Sequence, residues 1–346
     1  MMCIFRYEKP NLIGSCRYLP FTPQFLWPNG NLLNRPGKKG VVLNDAGKFD
    51  EAIDKYKQAL AVDPNNWQAD YEMGYTLYNT GHGKDAIPYL QKILTSNASK
   101  YEVDDLLGSI YDDINEPQKA VECYKNGITN NPNFEHLHFN LGISYYRQNK
   151  YAESEECEKD AIKLDQRHAS SQRAYAMATY AEQKHICSLM AWCSFLLLEP
   201  NSARSAEAYH NIRKILNYGI NQQDAKHTNV SISEKEIGTS TLSVQMAVIA
   251  ATEGKTNLSG VDSLNLQLTA LFKQAIEFKE TQSDPFFNNY YAKFFNKLAE
   301  SVNMEAFTRF ISLSGYKDEN LAWFKANNEK LNNLDAWVRA NPRTFN

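Results

Sequence analysis

The chain has no stretch approaching eighteen consecutive apolar residues, so no membrane span is expected. It has no charge surplus to speak of: 37 basic against 40 acidic residues leave a net charge of −3. That balance supplies no electrostatic pull toward nucleic acid or an anionic membrane. None of its six cysteines forms a CxxC pair, which removes the usual zinc-ribbon and dithiol readings and fits a reducing compartment. The seven histidines include no HExxH, and no GxSxG or glycine-rich dinucleotide loop is present. Thr80-Gly81-His82-Gly83-Lys84-Asp85 comes near a phosphate loop, but Tyr78 stands where the first glycine belongs and Asp85 replaces the magnesium-binding hydroxyl. Adjacent carboxylates, Asp104/Asp105 and Asp112/Asp113, read as a solvated helix surface rather than an acid–base pair. No residue is left for catalysis to rest on, and neither a cofactor nor a metal is expected.

What is present is apolar and aromatic: 43% hydrophobic and 12% aromatic residues suffice for a folded core. Residues 1–36 stand apart. They hold five of the twelve prolines and show no helical period, so an irregular leader is expected. Leu12-Ile13-Gly14-Ser15-Cys16 loosely resembles a lipoprotein cleavage site, but Glu8, Lys9 and Pro10 interrupt the apolar run that should precede it. The expected location is the cytoplasm, the alternative being periplasmic or lipid-anchored through an atypical export signal.

From residue 37 the chain keeps time. Pro64, Pro132 and Pro200 are each sixty-eight residues apart, twice thirty-four. At the thirty-four-residue step Gly40, Gly74, Gly108 and Gly142 are in phase, followed by Ala176. So are Ala52, Ala86 and Ala120; Leu43, Leu77, Tyr111 and Tyr145; and Tyr56, Leu90 and Tyr124. Small residues on two facing helices allow close backbone approach, large ones a turn away fill the gaps, and proline ends the second helix. Gly47 and Gly81 suit a tight, left-handed turn between the two helices.

Period and signature resemble the tetratricopeptide repeat family, most directly in Ala46-Gly47-Lys48-Phe49-Asp50-Glu51-Ala52-Ile53 and on to Asp63-Pro64. The resemblance covers about residues 33–218. It comprises units 33–66, 67–100, 101–134, 135–168 and 169–202, with a lone first helix near 203–218. Glu158 and Gln166 in the fourth unit and His185 in the fifth depart from the pattern. The implied fold is all-α: a right-handed α-solenoid of helix pairs over 37–218, then a non-repeat helical domain over 219–346. In that last stretch helices are expected at 240–255, 262–279, from Pro285, at 303–313 and at 318–340. Its aromatics at three- and four-residue spacing, such as Phe287, Tyr290, Tyr291 and Phe294, read as a buried stripe that caps the stack.

In this family first helices line the concave wall, and the resemblance carries that role onto particular positions. They are Gln68, Tyr71, Tyr75, Tyr78 and Asn79 in unit two, and Glu102, Asp105, Asp112 and Asp113 in unit three. Phe139, Tyr146 and Arg147 follow in unit four, and Arg173 and Tyr180 in unit five. A carboxylate-clamp mode is disfavoured, because Gly37, Val41, Glu102 and Leu106 stand at the clamp positions. Recurrent tyrosines beside an acidic unit predict a protein or peptide partner with basic and apolar residues. The expectation is a binding scaffold or assembly factor, not an enzyme. Two other readings stand beside it: an enzyme with an unrecognised active site in 219–346, and a homo-oligomer joined through that region.

Overall fold

The computed structural model describes residues 36–96, 101–222, 228–231, 240–255 and 257–345. The leader reading of residues 1–36 and the lipoprotein-like stretch fall outside them except at Pro36, which opens a helix instead of ending the leader. Helix α1 spans Pro36–Asp45 and α2 Phe49–Val62; α3 spans Trp67–Asn79 and α4 Gly83–Thr95; α5 spans Tyr101–Asp113 and α6 Pro117–Asn130. Then come α7 at Glu135–Arg147 with α8 at Tyr151–Leu164, α9 at Ala169–Ala181 with α10 at His185–Leu198, and α11 alone at Ala203–Leu216. First helices from α3 to α11 start thirty-four residues apart, and so do second helices from α2 to α10. The repeat frame holds through all five units.

The turns explain the constancy. Gly47 and Gly81 have φ of +72° and +84°, and Asn115, Asn149 and Gln183 continue the series at 62°, 59° and 63°. All five sit thirty-four residues apart. In each, the next residue's N–H returns to the carbonyl four residues upstream of the left-handed residue, as in Lys48 to Leu43 at 2.8 Å and Glu116 to Tyr111 at 2.8 Å. This closes the first helix and aims the chain into the second.

Packing within a pair corrects one expectation. The helical glycines do not face the small residues of the second helix; they face its large ones. A Cβ on Gly40 would lie 2.4 Å from Tyr56, one on Gly74 2.8 Å from Leu90, and one on Gly108 2.4 Å from Tyr124. Each glycine is the floor on which a buried side chain lies.

The chain divides into two compact units, one ending at Ser144 and the other beginning at Tyr145. This division falls inside the repeat array, whereas the sequence placed its boundary at 218/219. The reason within the second unit is α10, whose sequence HICSLMAWCSFLLL is apolar on every face and buried from His185 to Leu196. A helix of that kind must be covered all round, and the later helices do it. The helices that follow are α12 (Thr241–Thr252), α13 (Gly260–Lys273), α14 (Lys279–Ser283), α15 (Lys293–Ala299), α16 (Met304–Ile311), α17 (Lys317–Ala326) and α18 (Asn328–Ala340). One hydrophobic core runs from Ile162 and Tyr175 through α10 to Phe272, Phe295, Phe307 and Leu334. The aromatic stripe is core, as its spacing predicts: Phe287, Tyr291, Phe295 and Phe307 are fully buried.

Fold class is all-α. Among the described residues the extended pieces are β1 (Ile220–Gln222) and β2 (Thr228–Val230), antiparallel with Ile220 opposite Val230. Boundaries shift in three places. Helix α13 stops at Lys273 rather than 279, and Asn327, with φ −127° and ψ 39°, splits 318–340 into α17 and α18. The helix that Pro285 opens, capped by Asp284 Oδ1 accepting from the N–H groups of Phe286 and Phe287, widens into a π-helical turn at Phe287–Ala292 before α15.

Candidate protein-binding wall

In the unit ending at Ser144, α3 and α5 carry seven carboxylates and neither lysine nor arginine. The structure sorts these acids by direction. Asp70 turns toward the second helices and meets Lys92 Nζ at 2.8 Å. Asp104 does likewise, accepting from Asn130 Nδ2 at 3.5 Å. The remaining five, Glu72, Glu102, Asp105, Asp112 and Asp113, belong to the first-helix side.

Much of that side is spoken for by its neighbours. Asn140 Nδ2 donates to Asp105 Oδ1 at 2.8 Å, and Ser144 Oγ donates to Asp112 Oδ1 at 2.9 Å. The Tyr78 hydroxyl donates to Asp113 Oδ2 at 3.0 Å, and Thr76 Oγ1 to Asn44 Oδ1 at 2.9 Å. Every bond links one first helix to the next. Burial alone would lower the His136 imidazole, but Asp105, 3.7 Å from its Nδ1, outweighs burial and raises its pKa.

The predicted wall residues therefore separate. Tyr71, Tyr75 and Phe139 are buried, 5%, 5% and 3% exposed, and serve packing between repeats. Asp104 and Asp105, expected on a solvated face, are buried at 2% and 7% exposure. They lie there because each has a polar partner thirty or so residues away, which no short-range pattern displays. Gln68, Tyr78, Asn79, Glu102 and Asp112 are half-buried and Asp113 is exposed, so these six are the ones brought to the surface of this unit. Glu72 was missed by the sequence reading. Its signal was an acid on α3 with no basic residue three or four positions away. Burial, helped by Asp45, pushes its carboxyl up to about 7.

In the unit beginning at Tyr145 the same logic applies to the other candidates. Arg173 Nη2 donates to both Glu207 carboxylate oxygens at 3.0 Å, tying α9 to α11, and Arg204 Nη1 donates to Ser170 Oγ at 3.1 Å. Tyr180 is half-buried under Lys214 Nζ, 4.7 Å from its ring. Tyr146 rests on Tyr151 with ring centres 5.3 Å apart, and Arg147 is exposed.

A cavity of about 480 Å³ in this unit is lined by Lys159, Lys163, Lys184, Cys187, Glu280 and Asp284, among others. Its lysines are already paired. Lys159 meets Glu155 at 2.9 Å, Glu156 at 2.7 Å and Asp284 at 2.9 Å; Lys184 meets Glu155 and Glu182; Lys163 meets Asp160 at 2.9 Å. Burial holds the Cys187 thiol protonated far above its ordinary range, which deprives it of nucleophilic character. Among the described residues no three His, Cys, Asp or Glu side chains gather as a metal site, and no helix is long and apolar enough to cross a membrane.

A pH dependence follows for the first unit. Burial pushes Asp104 up to about 6 and Glu72 up to about 7, both above their unfolded values. The folded state therefore favours the protonated acids, and this contribution is lost as pH rises from about 4 to about 7. Asp104→Asn should stabilise the protein at pH 7.5 by on the order of 1–2 kcal/mol and change little at pH 4. Thermal melts at the two pH values check it; an equal shift at both would contradict the cause.

Comparison with known proteins agrees with this geometry. A tetratricopeptide (TPR) repeat family model matches residues 40–81, and a second tetratricopeptide repeat model matches residues 106–181. No curated protein matches the chain in sequence. Among solved structures, MamA is 24% identical with a TM-score of 0.45, covering 48% of this chain and 96% of its own. The pilF protein of Pseudomonas aeruginosa is 19% identical with a TM-score of 0.48, covering 52% and 82%. YrrB, titled a TPR protein with an unusual peptide-binding site, is 16% identical with a TM-score of 0.45, covering 51% and 90%. Residues 40–81 and 106–181 of this chain are tetratricopeptide repeats.

Proposed function

We propose that the chain is a protein-binding scaffold, and that the first-helix side of residues 36–144 receives a basic segment of its partner. One observation carries the reading: five carboxylates, Glu72, Glu102, Asp105, Asp112 and Asp113, stand on two adjacent helices that contain no lysine or arginine. The hydrogen bonds described on Asp105, Asp112 and Asp113 come from an amide, hydroxyls and one imidazole, and neither α3 nor α5 supplies a lysine or arginine. A lysine or arginine of a partner would place opposite charge beside half-buried Glu102 and exposed Asp113, and half-buried Tyr78 offers an apolar face with a hydroxyl beside it.

Panning a displayed random-peptide library on the intact chain tests this. Enriched peptides should carry Lys or Arg next to an aromatic or aliphatic residue. Their binding should fall roughly tenfold or more in Glu102→Lys/Asp113→Lys and weaken with salt. Enrichment of acidic or neutral peptides, or binding indifferent to these reversals, would rule the wall out.

A further inference from the structure

Segment Asn341–Phe345 follows α18 without regular structure and lies against the π-helical turn and α15. Its side chains alternate: Arg343 and Phe345 are inserted, while Pro342 and Thr344 are exposed. That two-residue period is how an extended peptide engages a surface. The Arg343 guanidinium carbon lies 4.1 Å from the Phe294 ring centre, 5.0 Å from Tyr290, 5.2 Å from Phe295 and 5.6 Å from Tyr291. Its Nη1 donates to Ser194 Oγ at 2.7 Å, and no carboxylate pairs with it among the described residues. Phe345 stacks on Tyr290 at 5.2 Å and on Phe286 at 6.0 Å, nearly parallel to both, and its carbonyl accepts from Asn289 Nδ2 at 3.3 Å.

A cation held by rings and hydroxyls, beside a ring stacked on two others, is the chemistry of a recognition site rather than of a core. The core beneath has other support. Phe295 packs on Phe272 and Phe307 at 4.5 and 5.9 Å, and Tyr291 on Tyr175 at 5.4 Å. The π-turn adds to the case, since such widened turns recur where a helix is shaped for a ligand.

We propose that the face made by Phe286, Tyr290, Phe294, Asn289 and Ser194 binds an Arg-x-Phe segment of a partner protein, and that Asn341–Phe345 occupies it in cis as a competing ligand. Tethering gives the occupant a high local concentration, so a free peptide binds weakly until the occupant is removed.

The test uses the intact chain and a fluorescein-labelled Asn-Pro-Arg-Thr-Phe peptide, read by fluorescence polarisation. Arg343→Ala/Phe345→Ala should bind the peptide at least tenfold more tightly than the unaltered chain, and a peptide with Ala for Arg should not bind. Equal binding to both proteins, or none to a variant with unaltered circular dichroism, would overturn the proposal. Should the variant fail to fold, hydrogen exchange on the unaltered chain decides. Excess peptide should speed exchange across residues 341–345, and unchanged exchange would overturn it.

Discussion

Gly108→Leu should lower the melting temperature by on the order of 10 °C, the largest effect expected of a single substitution in the first unit. The cause is steric and local. Even a methyl group at this position would meet Tyr124 Cε1 at 2.4 Å and its Cδ1 and Cζ at 2.7 Å. The ring has nowhere to go: Tyr124 is 2% exposed and its hydroxyl lies 3.4 Å from both Ser109 Oγ and Asp112 Oδ2. A leucine would therefore pry α5 from α6, at a cost of about 3 kcal/mol or more. Gly81→Ala is the control, because a Cβ there meets nothing within 4 Å and only the φ of +84° is strained. It should cost about 1 kcal/mol. Circular-dichroism melts separate the two, and a Gly108 variant that melts with the native protein would refute the packing described here.

That glycine was findable because repeats announce their steric floor and their punctuation at a fixed interval. Prolines 64, 132 and 200 and Gly47 and Gly81 fixed the frame, and every later unit obeyed it. Asn115, Asn149 and Gln183 hold the same left-handed conformation, which asparagine signals more weakly than glycine and glutamine does not signal at all. Beyond residue 219 helices were visible in the apolar spacing, but Asn327 is an ordinary polar residue and the break it makes has no sequence mark. The wall was the least legible part. Whether an acid on a first helix is free depends on its partner. Those partners, Asn140 for Asp105 and Ser144 for Asp112, lie thirty-five and thirty-two residues on. The repeat length itself was the unused clue: residues one period apart on first helices are spatial neighbours, so polar side chains at that interval should be read as pairs before they are read as a binding surface.

The second large effect belongs to Gln172, at the place where the repeats of the second unit meet its later helices. Its amide is 1% exposed; Nε2 donates to the Tyr290 hydroxyl at 2.9 Å, and Oε1 accepts from the Tyr291 hydroxyl at 2.7 Å. Both tyrosines are themselves buried, at 1% and 0%. Gln172→Leu keeps most of the volume and removes both partners, which should destabilise the second unit by about 2–4 kcal/mol in urea unfolding. Because α9, α10, α15 and the π-turn share one core, hydrogen-exchange protection should fall in α10 and α15 together rather than in α15 alone. A double-mutant cycle separates the hydrogen bond from shape. Tyr291→Phe alone strips Gln172 of its donor and should be costly. In the Gln172→Leu background the same change removes a hydroxyl that has already lost its acceptor, so it should cost little or even restore stability. Equal costs in the two backgrounds would mean that packing, not this clamp, joins the last repeats to the helices that follow.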